Sequence, residues 1–346
     1  MRVLVIGGTR FMGYGLVWRL LLGGHAVTLL NRGQTPDPFG DRVRRLQGDR
    51  TTDLRRLVAG HSFEAAVDFA AFQGSDVAQA VEALAGGGLG HYVLISTGQV
   101  YLVREGCPQP ARESDYDGPT LPPPPDAADR AEWEYGMGKR AAEDVLHEAW
   151  RSRRFPGTVL RIPVVNGERD HTRRLESYLW RLLDGGPILL PGGGGQGLRH
   201  VYAHDVVRTI ESLLGRQQAF GRAFNLCQEE APSLRELVQR LAAILGARPR
   251  LVDVSAPELA AAGLTARAVS PFSSGWISFI DPSLAQAELG FRATPLDQAL
   301  ASIVASFLAH LADPPAHRYA TRPQELALAA RLGHDSSSAR GEEGGR

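Results

Sequence analysis

The chain has 346 residues, 43% of them hydrophobic, enough for a sizeable core plus a smaller lobe. Its 38 basic and 38 acidic side chains cancel, so no global field recruits nucleic acid or an anionic membrane, and no apolar run approaches the length of a bilayer span. Cys107 and Cys227 are the only cysteines and fall in no paired motif, which argues against a disulfide framework or a cysteine zinc site.

Residues 1–6, Met-Arg-Val-Leu-Val-Ile, form a short apolar run suited to a buried parallel strand. The run enters Gly7-Gly8-Thr9-Arg10-Phe11-Met12-Gly13, and an amphipathic helix with Leu16, Val17, Leu20 and Leu21 follows. Strand, glycine turn and helix in this order bring backbone N–H groups to a helix N-terminus, where the dipole favours an anion such as a pyrophosphate. Because the chain starts directly with this strand, no secretory signal is expected, and the expected location is the cytoplasm.

Further strands are predicted over residues 26–30, 42–47, 65–70, 92–96 and 158–162, at helix-sized intervals. That alternation predicts an α/β fold with a Rossmann-type, doubly wound parallel sheet. The strand at 92–96 runs into Ser96-Thr97-Gly98-Gln99-Val100-Tyr101, which puts the Thr97 hydroxyl at the carboxyl edge of the sheet, where open α/β folds bind ligands. Pro122 to Pro125 can continue neither a helix nor a central strand, so an extended loop is expected there.

Residues 131–150 are predicted to be helical, with Ala142, Val145, Leu146 and Ala149 as the apolar stripe. Tyr135 and Lys139 lie four apart on this helix and share a face. Lys139 is the only lysine in the chain, while every other long cation is an arginine, which marks position 139 as a candidate site for the ammonium itself, beside the plain alternative of a solvated lysine on a helix face. A phenol titrates at about 10 in water, and a neighbouring ammonium favours the phenolate. Tyr135 is thereby suited to pass a proton to or from a substrate hydroxyl.

Farther on, Gly192 to Gly195 lacks the following lysine of a Walker loop and is expected to be a flexible loop. Ser233 and Glu236 form a capping box that opens a helix through Leu245. His200 and His204 have the spacing of a metal pair, but no metal site is expected there.

Several motifs in order resemble the extended short-chain dehydrogenase/reductases, the group that contains NAD-dependent sugar-nucleotide epimerases and dehydratases. They are the turn at 7–13, Gly48-Asp49, Ser96-Thr97 through Val100-Tyr101, Tyr135 with Lys139, Arg161 to Gly167, Leu198 to Tyr202 with Asp205, and Asp281 to Phe291. The resemblance implies a catalytic set of Thr97, Tyr135 and Lys139, with Lys139 also bonding the nicotinamide ribose. It implies cofactor contacts from Gly7, Thr9, Arg10, Phe11, Met12, Gly13, Asn31, Arg32, Asp49, Ala70, Ala71 and Ile162, besides Tyr135 and Lys139. Substrate contacts are expected from Thr97, Gln99, Asn166 and Arg199, and the partner is a small molecule, with nucleotide sugars among the candidates. The expected organisation is a dinucleotide domain at 1–165 plus 198–228, a substrate lobe at 166–197 plus 229–312, an extension at 313–334 and a disordered tail at 335–346. A homodimer is expected from the resemblance alone.

The departures narrow the chemistry. Arg10 occupies the slot of the usual middle glycine, giving a Gly-Gly-Thr-Arg-Phe turn that is also seen in a chloroplast stem-loop RNA-binding branch of the family. After the second strand the chain offers Asn31-Arg32 rather than an acid, so Arg10 and Arg32 are suited to clamp a 2′-phosphate, and NADP is favoured with NAD left open. Sugar-nucleotide dehydratases carry Asp-Glu after the active-site threonine; Gly98 and Gln99 cannot do that proton work. Val164 and Asn166 stand where many nucleotide-sugar members have asparagine and tyrosine, and Arg199 either meets a diphosphate or pairs with Asp205. An epimerase or reductase is the primary reading; a natural-product reductase and a non-catalytic dinucleotide- or RNA-binding protein are the alternatives.

Overall fold

The computed structural model describes residues 1–314 and 316–342. In chain order the elements are β1 (Arg2–Ile6), α1 (Phe11–Leu22), β2 (Ala26–Asn31), β3 (Val43–Gln47), α2 (Arg50–Val58), β4 (Ala65–Asp68), α3 (Gly74–Ala85), β5 (His91–Thr97), α4 (Gln99–Leu102) and α5 (Ala127–Arg153). They continue with β6 (Gly157–Ile162), β7 (Val164–Asn166), α6 (Arg174–Leu183), β8 (Ile188–Pro191), β9 (His200–Tyr202), α7 (Ala203–Leu213), β10 (Arg222–Asn225), α8 (Leu234–Leu245) and β11 (Leu251–Val254). Helices α9 (Ala256–Ala261), α10 (Ala266–Val269), α11 (Ser283–Leu289), α12 (Leu296–Ala309), α13 (Ala316–Tyr319) and α14 (Arg322–Glu342) complete the chain.

The chain divides into two units. The first comprises Met1–Arg169, Arg199–Glu229 and Ser278–Thr294. Its seven parallel strands run in the order β10-β6-β5-β4-β1-β2-β3, so the winding reverses between β1 and β4. Both faces are covered, which is why β1 is apolar at consecutive positions rather than alternate ones. Val3 and Val5 face Leu16, Val17 and Leu20 of α1 and Val206 and Ile210 of α7. Leu4 and Ile6 belong to the opposite layer, with Leu54 of α2, Val77 and Val81 of α3, and Ala142 and Leu146 of α5. This is the expected Rossmann-type fold.

Three departures from the sequence expectation have a local reason. The strand expected over 65–70 stops at Asp68, whose carboxylate accepts the Ala70 N–H at 2.8 Å and turns the chain. Helix α5 begins at Ala127 rather than 131, because Asp126 caps it by accepting from the N–H groups of Ala128 (2.9 Å) and Asp129 (3.0 Å). Residues 278–294, expected in the substrate lobe, belong to the first unit: Ala285 and Phe291 enter its core, Glu288 pairs with Arg222, and Thr294 donates to Asp205.

The second unit comprises Asp170–Leu198, Glu230–Ile277 and Pro295–Arg346. It contains the parallel pair β8 and β11, and a core of Leu189, Val254, Leu259, Val269 and Leu328. The predicted box opens α8: Ser233 Oγ accepts from Glu236 N at 3.2 Å, and the Glu236 carboxylate accepts from Ser233 N at 2.7 Å. The stretch expected as an extension belongs to this unit, since Glu325 of α14 pairs with Arg181 of α6 at 2.6 Å with both side chains buried. Helical backbone continues to Glu342, through part of the stretch expected to be disordered; residues 343–346 of that stretch lie outside the described residues. No helix among the described residues is long and apolar enough to cross a membrane.

Candidate active site

The glycine turn between β1 and α1 is built for close approach. Gly7 has φ +85°, a conformation that L side chains rarely adopt. A Cβ on Gly13 would lie 2.6 Å from the Gly7 carbonyl oxygen, so the first turn of α1 rests on the backbone that precedes it. Arg10 is the N-cap residue with extended backbone, and no side chain caps the helix. The turn borders a cavity of about 650 Å³ in the first unit, a size suited to a bound small molecule.

Of the residues expected at a cofactor, Gly7, Thr9, Arg10, Asn31, Arg32, Asp49 and Ala70 line this cavity. Phe11, Met12, Gly13, Ala71, Tyr135, Lys139 and Ile162 do not. Phe11 and Met12 pack instead against the core layer beneath α1, and Ile162 is a core residue paired with Thr97 across β6 and β5. On the rim, Arg10 Nε donates to Thr35 Oγ1 at 3.1 Å, and Asn31 Oδ1 accepts from Gly33 N at 2.8 Å. Asp49 caps α2 by accepting from Thr51 Oγ1 (2.7 Å) and Thr51 N (2.8 Å). The Thr51 bonds, helped by the charge of Arg32, hold its carboxyl below the usual range.

The catalytic candidates stand on β5 and α5. Thr97 ends β5, and its Oγ1 accepts from Gln99 N at 3.3 Å. The Gln99 amide donates to Glu132 at 2.6 Å, one helical turn before Tyr135. Tyr135 is 37% exposed, whereas Lys139 is 2% exposed. Lys139 Nζ donates to the carbonyls of Ala71 (2.6 Å) and Ile95 (2.8 Å), which accounts for two of its three N–H bonds. The Phe72 ring lies 4.9 Å from that nitrogen and 6.3 Å from the Tyr135 ring, so it touches the surroundings of both. Burial pushes the Lys139 ammonium down to about 8, against the pull of Asp68, Glu143 and Asp76.

Two glycines in α5 let this arrangement close. A Cβ on Gly136 would lie 3.0 Å from the Gln99 carbonyl, and one on Gly138 would lie 2.6 Å from the Phe72 carbonyl. Each glycine costs a helix about 1 kcal/mol relative to alanine, so their place in a helix interior reflects these approaches. Gly98 has a similar cause: any side chain there would collide with Ser278. The aspartate that a dehydratase carries at that position therefore has no room in this chain.

The expected substrate contacts divide. Thr97 and Gln99 stand together at the end of β5 and the start of α4. Asn166 on β7 bonds His200 on β9 at 2.7 Å, and Arg199 donates to the Ile280 carbonyl at 2.8 Å while lying over the Phe279 ring at 4.8 Å. Arg199 does not pair with Asp205, which accepts from Arg208 and Thr294 instead. His204 pairs with Glu168 at 3.3 Å, and that carboxylate raises its pKa; no metal-binding cluster occurs among the described residues.

Residues 3–227 match the NAD dependent epimerase/dehydratase family. The chain belongs to that family. Family members are mostly NAD(P)-dependent enzymes. Among curated relatives, 2′-dehydrokanamycin reductase of Streptomyces kanamyceticus is 28% identical over 252 residues, covering 71% of this chain and 67% of that protein. The chloroplast stem-loop binding protein of 41 kDa b from Arabidopsis thaliana is 25% identical over 244 residues, covering 66% of this chain and 59% of its own length. In solved structures the fold recurs in a UDP-glucose 4-epimerase of Thermotoga maritima with UDP-glucose (TM-score 0.70, 19% identity, 90% of this chain and 100% of that one). It recurs also in a dTDP-glucose 4,6-dehydratase of Streptomyces venezuelae with NAD bound (TM-score 0.69, 21% identity, 90% and 98%).

Sequence reasoning missed Arg50, Phe72, Gln73 and Asp76 on the cavity wall, and Glu132 beside Gln99. Arg50 is one arginine in an arginine-rich chain and carries no pattern of its own. Gly138 was the available signal for Phe72, since a glycine inside a helix implies that another backbone comes close.

Proposed function

We propose that the protein is an NAD(P)-dependent epimerase or reductase that moves a hydride to or from an alcohol carbon of a sugar-like substrate, with Tyr135 as the acid–base. The observation that carries this reading is Lys139, the sole lysine, buried against two carbonyls at the carboxyl ends of β4 and β5 and one helical turn from a partly exposed tyrosine. The cavity, the uncapped start of α1 and the Gly7–Gly13 approach fit a dinucleotide, which when bound supplies the hydride donor or acceptor. Gly7 and Thr9 would hold its pyrophosphate, and Lys139 its nicotinamide ribose. Arg10 and Arg32 line the same cavity and would pair with a 2′-phosphate, which favours NADP.

Tyr135 gives a proton to the substrate oxygen in reduction or takes it in oxidation, and the Lys139 ammonium stabilises the resulting phenolate. Thr97, whose Oγ1 already accepts a bond from Gln99 N, has its hydroxyl hydrogen available to a substrate oxygen. Elimination of water has no support, because position 98 has no side chain and position 99 is an amide.

Sugar nucleotides are supported by the UDP-glucose and dTDP-glucose enzymes that share the fold. Reduction of a natural-product ketone is favoured by two observations: the 28% identity to 2′-dehydrokanamycin reductase, and the engagement of Arg199 with Ile280 rather than an open position. The stem-loop-binding relative motivates an RNA-binding reading, but such a role gives no reason to bury the only lysine beside a tyrosine. Family likeness alone supports a homodimer. The test is oxidation of NADPH by the purified protein with keto-sugar nucleotides and with keto-aminoglycosides, each repeated with Tyr135→Phe. Turnover with either class that the phenylalanine variant abolishes supports the proposal; undiminished turnover in that variant refutes the role of Tyr135.

A further inference from the structure

Arg50 is 7% exposed and lies at the start of α2, on the wall of the cavity. Its NH2 group donates to Asp68 Oδ2 at 2.7 Å and to the Asp76 carbonyl at 3.2 Å, and its NH1 group lies 2.8 Å from Asp76 Oδ1. The carboxylates are themselves committed to one turn of backbone. Asp68 accepts from Ala70 N at 2.8 Å, and Asp76 accepts from Phe72 N at 2.8 Å and from Gln73 N at 3.0 Å. The remaining residue of that turn, Ala71, supplies the carbonyl that receives Lys139 Nζ, and Phe72 supplies the ring beside it.

We infer that Arg50, Asp68 and Asp76 are positioning residues for the catalytic lysine, fixing the turn at residues 70–73 that receives the ammonium and balancing its charge. The inference rests on the role proposed above for Lys139. Two cations, Arg50 and Lys139, face two carboxylates, Asp68 and Asp76, so the buried quartet is neutral only while Lys139 keeps its proton. A purely structural clasp would have no use for a guanidinium on the cavity wall with its Nε buried and unpartnered, as it is among the described residues. An apolar side chain of similar volume would cover the turn without that cost.

The consequence is directional. Asp68 and Asp76 favour the charged lysine, and Arg50 disfavours it. The other charge acting on the ammonium is Glu143 on its own helix, which is bonded to Arg161 of β6 and Ser96 of β5, while Tyr92 of β5 is bonded to Asp68. None of these changes when Arg50 or Asp76 is replaced. Removing Asp76 and removing Arg50 must therefore move the lysine in opposite directions, whereas simple loosening of the turn would rehydrate the ammonium in both and move it upward in both.

Because the chain has a single lysine, the test needs neither substrate nor turnover. Protein labelled with 13C at lysine Cε gives one side-chain resonance, and its pH titration reports Lys139 alone. The wild type should show a midpoint near about 8. Asp76→Asn should lower that midpoint and Arg50→Met should raise it, while Tyr92→Phe, which removes a hydrogen bond from Asp68 without removing charge, should move it less than either. Upward movement in both charge variants, or no movement in a folded Asp76→Asn protein, overturns the inference. The asparagine keeps one acceptor, so that variant decides the matter even where Arg50→Met does not fold. Absence of enzymatic activity would refute the proposed function and leave these titrations intact.

Discussion

Arg161 and Arg50 are both buried guanidiniums paired with carboxylates, yet only Arg50 lines the cavity. Arg161 bonds Glu143 through Nε (2.9 Å) and NH2 (2.7 Å) and the Tyr101 hydroxyl through NH1 (2.7 Å), and it lies over the rings of Tyr101 and Tyr116 at 5.1 and 4.3 Å. Ser96 donates to the other oxygen of Glu143, and Tyr101 donates to Asn225 at 2.9 Å. That cluster is closed on itself and ties α5 to β5, β6 and β10. Arg50 holds its two carboxylates but leaves its buried Nε without a partner among the described residues. A buried network that only fixes structure can satisfy every group, so an unpartnered nitrogen in a residue on a cavity wall needs an explanation of its own.

The largest expected effect breaks the closed cluster. Arg161→Met leaves Glu143 buried without its partner, which should cost about 3–5 kcal/mol in urea unfolding. Stability near that of the wild type would show that the closed cluster is not what secures α5. The next change addresses the lysine between the clusters. Lys139→Arg keeps the charge, but the carbonyls of Ala71 and Ile95, at 2.6 and 2.8 Å, fit a compact ammonium and not a planar fork. We expect a folded protein with turnover reduced about 100-fold or more, each misplaced charged bond being worth about 1.5–3 kcal/mol; near-normal turnover would sever the lysine from the mechanism.

Gly138→Ala sharpens the same point with the opposite sign to helix propensity. Alanine in a helix should stabilise by about 1 kcal/mol, but its Cβ would lie 2.6 Å from the Phe72 carbonyl, so a net loss of about 1–3 kcal/mol is expected in thermal unfolding. A gain would mean that the turn at residues 70–73 does not press on α5.

Much of this was legible in residues whose identity is hard to explain otherwise. The run Val3 to Ile6, the glycines at 7 and 13 and the sole lysine at 139 point to the sheet, the turn and the helix that carries Tyr135, because buried strands, close approaches and a buried ammonium each restrict residue type. Arg50, Asp68 and Asp76 were not legible, since an ion cluster joining α2, β4 and α3 has no spacing in sequence. Arg199 was assigned a diphosphate or Asp205, and its actual bond to the Ile280 carbonyl depends on a segment some eighty residues later that sequence reasoning placed in the other lobe.

Two smaller effects follow from charge. The folded-state pKa of Lys139 lies near about 8, below the ordinary value of 10.5, so the folded protein releases this proton before the unfolded chain does. Stability relative to a Lys139→Met variant should then rise with pH between those two values, and proton-coupled turnover should fall as pH passes about 8. A flat difference between the two unfolding series would place the ammonium in a less buried setting. Arg32→Ala, on the cavity rim, should weaken NADP by about 10–100-fold and NAD much less, which equal losses for both would contradict.

The most direct measurement is a calorimetric titration of the purified protein with NADP and with NAD. Saturable binding of one dinucleotide per chain, tighter for NADP, is the expected result. No heat of binding and no thermal shift with either would contradict the assignment of the cavity and, with it, the hydride-transfer function.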